Sequence, residues 1–169
     1  KDVRKLGWIT WLSGSKGYTY GAGDVPPKVP GGAGGVWRFN TDSSTYDYWK
    51  KAIMWPSAGQ ITIMHDFFGS LEWWKLVPRH ELILNQASND TVKMVASAST
   101  DNSLFLAYLP DNPEIQLDLS GFKGVYSGKW FNPVTALTIP LHLKVIPETN
   151  ACFKRPEKWE DALLVLRKD

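Results

Sequence analysis

The sequence predicts a chain of two textures: a helical first half, residues 1–80, and a small antiparallel β-sandwich over residues 81–169. Three observations predict this. Apolar residues recur at helical spacing up to about residue 80 and with a period near two beyond it. The second half breaks into short runs separated by turn residues, such as Thr100-Asp101-Asn102 and Asp111-Asn112-Pro113. The hydrophobic content of 43% supports a packed core.

Taken in order, Val3, Leu6 and Trp8 through Leu12 form a mostly apolar segment that reads as a buried helix. Ser13 and Gly14 end it, because glycine just past the last turn is a favoured C-cap. Gly17 to Gly21 alternates its side chains like a short strand. A loop rich in glycine and proline follows at 21–35, stiffened by Pro26, Pro27 and Pro30. Loops of that length without their own structure are usually functional or disordered. Thr45 to Trp55 looks helical and stops at Pro56, and Ser57 is placed to cap a next helix carrying Ile61, Met64, Phe67 or Phe68, and Leu71. Pro78 closes the helical half. In the second half VKMVASAS, SLFLAYLP and EIQLDLS alternate in the manner of half-buried strands. GVYSGKWFNP, ALTIPLHLKVI and DALLVLRKD continue the pattern, and the apolar run Ala162 to Leu166 should be central or well covered.

Composition narrows the function. The net charge of +2 is scattered and no basic block occurs, so no nucleic-acid footprint is visible. A single cysteine, Cys152, excludes an internal disulfide and a cysteine-based zinc site. His65, His80 and His142 lack ligand spacing, so no metal or other cofactor is expected. No apolar run reaches membrane-spanning length, and KDVRKLGW is not a signal peptide. Gly31 to Gly35 lacks the Gly-Lys-Ser/Thr and the strand-to-helix context of a phosphate loop. No Gly-x-Ser-x-Gly elbow is present. The carboxylates of the first half, Asp24 in the long loop among them, form no pair that stands out. The catalytic set read from this chain is therefore empty.

The aromatic residues are the unusual feature, with nine tryptophans. Trp8, Trp11, Trp49 and Trp55 sit in helical patterns and read as core. Tyr18, Tyr20 and Trp37 flank the 21–35 loop. They read either as a carbohydrate-facing surface or as packing of the loop onto its own domain. The candidate substrate-binding residues are Tyr18, Tyr20 and Trp37.

WLSGSKGYTYGAG, the following VW, MWPSAGQ and LEWWKLVP, in that order, resemble the end of the apiosidase-like glycoside hydrolases. FLAYLP, IQLDLSGFKG, KWFNPVTA and the FKRP–LLVL ending resemble the small β-sandwich that follows the barrel in that family, classed as a collagen-binding domain. The resemblance covers nearly the whole chain. It departs in the proline-rich insertion at 22–35 and in Tyr18, where a histidine is frequent. It departs again in Trp130-Phe131-Asn132-Pro133 for Trp-Tyr-Asp-Pro, in Ala136 at a glycine position, and in Trp159 to Ala162 for Asp-Trp.

The resemblance implies a fold: the C-terminal remnant of a (β/α)8 barrel, its last strand and helices, followed by the all-β sandwich. Gly17 to Gly21 would be the eighth strand, and the loop after it would lie on the active-site face. It further implies a secreted or periplasmic bacterial glycosidase acting on a plant or host glycan. The catalytic carboxylates would lie in an N-terminal barrel portion outside this chain, which alone would be inactive. Trp8, Trp11, Ile61, Met64 and Phe67 would then need that portion, as another or a cleaved piece, for a partner surface. The alternative is a non-catalytic module that binds carbohydrate or collagen, or serves structure alone.

Overall fold

The computed structural model describes residues 2–19, 53–86, 93–141 and 150–169. Helix α1 spans Asp2–Leu12 and helix α2 spans Pro56–Gly69. The described strands are β1 (Leu76–Pro78), β2 (Val95–Ser99), β3 (Leu104–Leu109), β4 (Glu114–Asp118), β5 (Tyr126–Phe131), β6 (Thr138–Pro140), β7 (Asn150–Lys154) and β8 (Ala162–Lys168). Six of them form one sheet in the order β1-β2-β3-β8-β5-β6, and β4 pairs with β7 in a second; every described pairing is antiparallel.

Local chemistry sets the helix ends. Gly14 adopts φ +96°. There the Gly14 N–H donates to the carbonyl of Trp11 and the Ser15 N–H to that of Thr10, a Schellman stop for α1. Pro56 opens α2, the helix the sequence expects from Ser57 onward. Its ring pre-sets φ for a first helical position, and Trp55 before it is held extended at ψ 149°. Residues 45–52 lie outside the described set, and 53–55 form a turn. Ser57 makes no cap bond. At the other end the Ser70 hydroxyl donates to the Phe67 carbonyl.

Pro78 does not close a helical segment. After a 3-10 turn at Trp73–Lys75, Leu76–Pro78 runs as an edge strand against β2. An edge tolerates proline because one row of its N–H groups faces away from the ladder. Residues 17–19 carry no regular strand, and 20–21 lie outside the described residues.

The central strands β2, β3 and β8 of the six-stranded sheet are buried on both faces. One face packs on the β4–β7 pair through Phe105, Ile115, Leu117, Trp130, Phe153 and Leu164. The other carries α1 and α2 through Trp8, Met64, Phe68, Leu106, Tyr108 and Val165. This explains a second difference from expectation. β2 and β3 were expected to be half-buried, yet every residue of both is buried, because helices cover the face that would have met water. Strand β4 does alternate as expected. The β8 run Ala162 to Leu166 is central and buried, also as expected.

The layering also corrects the expectation that the helices lack a partner surface. Trp8 is fully buried, stacked on Tyr108 at 6.0 Å and edge-on to Phe67 at 5.3 Å. Met64 is buried as well, and Trp11, Ile61 and Phe67 are half-buried in the same cluster. Their partner is the sheet of this chain. Leu6, Trp55 and Trp74 stay exposed.

Candidate functional site

Three places on the chain bear on function: the tyrosine next to α1, the polar cluster under α1, and a groove beside α2. Tyr18 is half-buried. Its hydroxyl donates to the Val3 carbonyl at 3.1 Å, and its ring lies over Gly7, where a Cβ would stand 3.2 Å from Cε1. The structure thus gives Tyr18 a role in holding residues 15–18 against α1. Tyr20 and Trp37 lie outside the described residues, so no geometry joins the three.

The polar cluster grows from Arg4. Its position in α1 faces the sheet, and the side chain is only 2% exposed. Nε donates to Asp161 Oδ2 at 2.8 Å, Nη1 to Gln60 Oε1 at 2.9 Å and Nη2 to Glu160 at 3.3 Å. Tyr108 donates its hydroxyl to the same Asp161 oxygen at 2.5 Å. Burial opposes the Arg4 charge, but the bond to Asp161 and its charge outweigh burial and raise the guanidinium above its ordinary range. Burial first, then Asp161, pushes the Tyr108 phenol well up, so it remains a proton donor. Lys5 adds a bond to Asp111. The cluster ties α1 and α2 to the turn before β8. Its two neighbouring carboxylates both face one arginine, which is unlike the opposed acid and base of a glycosidase.

The groove follows from strand alternation. Register pairs Ser127 with Arg167, Lys129 with Val165 and Phe131 with Leu163, so these six share the helix-bearing face. The helices cover Phe131, Leu163 and Val165. Beyond them the face opens into a groove of about 570 Å³ beside the second half of α2. Its apolar wall includes Phe67 and Phe131, with ring centroids 4.7 Å apart. Asp66, Ser70, Lys129 and Arg167 supply the polar rim. Sequence reasoning missed this place. The alternation of YSGKWF and ALLVLRK places Ser127, Lys129 and Arg167 on common faces, but only the β5–β8 pairing brings those faces together.

Other chemistry is thinly represented. Among the described residues no group of three or more His, Cys, Asp or Glu could hold a metal ion. Cys152 is exposed on β7, and desolvation followed by the Glu114 charge raises its thiol, away from the reactive thiolate. No helix among the described residues is long and apolar enough to cross a membrane.

Comparison with known proteins fits this layout. Residues 1–75 match the family described as "Apiosidase-like, catalytic domain". Two solved structures overlay 99% of the chain with a TM-score of 0.75. One is a "Glycoside hydrolase" at 17% identity, and the other a glycoside hydrolase family 5 protein from Bacteroides vulgatus ATCC 8482 at 19% identity. At such identities the likeness is one of fold, and the chain spans 36% of the length of each. No curated protein matches significantly. The chain thus shares the fold of part of these glycoside hydrolases. Over residues 77–167, more than half its length, it belongs to the family described as "Putative collagen-binding domain of a collagenase".

Proposed function

We propose that the chain is the C-terminal part of a bacterial glycoside hydrolase, exported from the cytoplasm, that acts on a plant or host glycan. Residues 1–80 would close a (β/α)8 catalytic barrel, and residues 81–169 would be the sandwich on which it rests. The observation that carries the reading is the continuity of the fold. The segment matching a catalytic domain shares one core and one buried ion pair with the sheet, and the whole unit overlays glycoside hydrolases along 99% of its length. Glycosidic bonds are cleaved by two carboxylates placed on opposite sides of the bond. In this reading both belong to the part of the enzyme that corresponds to the rest of the matched chains. Tyr20 and Trp37 would meet the sugar beyond the barrel's last strand, with Tyr18 setting the course of that segment.

The test is glycosidase activity. Plant and host oligosaccharides are incubated with this chain alone and with the chain extended upstream through the barrel. The expected result is no turnover by the chain and hydrolysis by the extended protein. Hydrolysis by the 19.0 kDa chain alone, or none by an extended protein that folds, would overturn the proposal. The match of residues 77–167 to a collagen-binding domain favours a second reading, a non-catalytic binding module. That reading gains if upstream residues hold no barrel strands ending in Asp or Glu.

A further inference from the structure

We propose that the groove beside α2 is an accessory binding site for a carboxylate-bearing saccharide, a uronate, separate from the bond-cleaving centre. The proposal rests on the glycan-acting reading above and adds to it the class of sugar.

The groove has the anatomy of a small-ligand site: a concavity of about 570 Å³ with an aromatic wall and a few convergent polar groups. Phe67, half-buried, offers apolar ring surface to a sugar face and is backed by the nearly covered Phe131, while Ser70 and Thr138 offer hydroxyls. Charge then selects among sugars. Lys129 and Arg167 both line the groove, and among the described residues neither forms an ion pair. The acidic residue lining the groove, Asp66, lies at its mouth, mostly exposed and paired with His65 at 3.1 Å. A guanidinium without a partner matches a carboxylate in two parallel hydrogen bonds, which a neutral sugar cannot supply.

The site also continues. A second hollow of about 300 Å³ shares Ser70, Leu71 and Arg167 with the first and adds Lys168. Glu72, which lines it, is engaged by Lys75 at 2.8 Å, and the nearby Asp101 is engaged by Ser99 and Ser103. On the other flank Asp169 accepts from Ser127. Arg167 therefore stands at the junction of two hollows, where consecutive rings of an acidic oligosaccharide would each present a carboxylate. This arrangement is a trough for a chain rather than a pocket for a monosaccharide.

The test is calorimetric titration of the purified protein with trigalacturonic acid, and with its methyl ester as the uncharged counterpart. The expected result is binding of the acid but not the ester, weakening as salt is added. Affinity should fall about tenfold or more in Arg167→Gln and several-fold in Lys129→Gln. Lys129 is exposed, so its variant remains informative if Arg167→Gln lowers the unfolding midpoint. Equal affinity for acid and ester, indifference to both substitutions, or absence of binding would overturn the proposal. So would binding of a triple-helical collagen peptide in place of the uronate. Uronate binding without hydrolysis by the extended protein would sink the enzyme reading and leave the groove standing. Hydrolysis without uronate binding would do the reverse.

Discussion

Replacing Arg4 with methionine keeps the length of the side chain and removes its charge. Arg4 is 2% exposed and Asp161 is wholly buried, so the carboxylate left behind has no access to water. It would keep the Tyr108 hydroxyl and lose the charge-assisted bond at 2.8 Å. Breaking a buried pair in this way costs about 3–5 kcal/mol, several times the ~0–1 kcal/mol of an exposed pair. At about 2–4 °C per kcal/mol for a chain of this size, the melting midpoint should drop by roughly 6–20 °C. The assay is urea unfolding of the wild type, Arg4→Met, Asp161→Asn and the double variant, with Asp66→Ala as the exposed control, since His65 and Asp66 are 82% and 71% exposed. Because the second substitution removes the stranded charge, the double variant should recover about 1 kcal/mol or more relative to Arg4→Met. A loss under about 1 kcal/mol in Arg4→Met, matching Asp66→Ala, would refute the reasoning.

Three further outcomes are expected. Gly128→Ala should destabilise by about 1–3 kcal/mol in denaturant titration, because its Cβ would stand 2.5 Å from Leu141 Cδ1 and 2.9 Å from Leu166 Cδ2; an unchanged midpoint would contradict the packing. Ala136 sits at φ +61°, so Ala136→Gly should raise stability by roughly 1 kcal/mol in the same titration; an unchanged or lower midpoint would contradict strain at this turn. Hydrogen bonds from the Ser99 and Ser103 hydroxyls, then the Ser103 N–H, hold the Asp101 carboxyl well below its usual range. Its contribution is therefore complete above the unfolded pKa of about 4 and is lost as pH falls through the folded value. Asp101→Asn should be less stable than wild type at pH 7, with the gap narrowing from about pH 5 to pH 2; a gap constant across that range would exclude this role.

What could be read from the residues was what depends on near neighbours. The α1 stop at Ser13-Gly14, the short strands of the second half and the covered run at Ala162–Leu166 are all short-range patterns, and the structure has them. The β5–β6 turn was partly legible too. Asn132 stands where the resembled family has aspartate, and its Oδ1 accepts from the N–H groups of Val134 and Thr135 as a carboxylate would. The left-handed backbone at Ala136 accounts for a glycine at that position in the family. The start of α2 was legible to within a residue, because proline suits a first helical position, while the helix expected at 45–55 falls mostly outside the described residues and shows a turn at 53–55. The double burial of β3 was hidden because alternation reports one covered face, not a second covered by helices remote in sequence. The groove was hidden because it needs the register of β5 against β8.

The order in which these partners are made has its own consequence. Strand β8 joins β3 to β5 in the middle of the sheet, yet it is the last of the described strands to be synthesised. Until it inserts, β1-β2-β3 and β5-β6 are separate ribbons with open edges, the condition that invites pairing with another molecule. Arg4 meets Asp161 across 157 positions. At the pace of translation, about 5–20 residues per second, the arginine waits roughly 8–30 s for its carboxylate. The first helix of this chain thus spends its early life without the anchor that later holds it, and assembly on the ribosome is a matter of keeping that surface occupied until the final strand emerges.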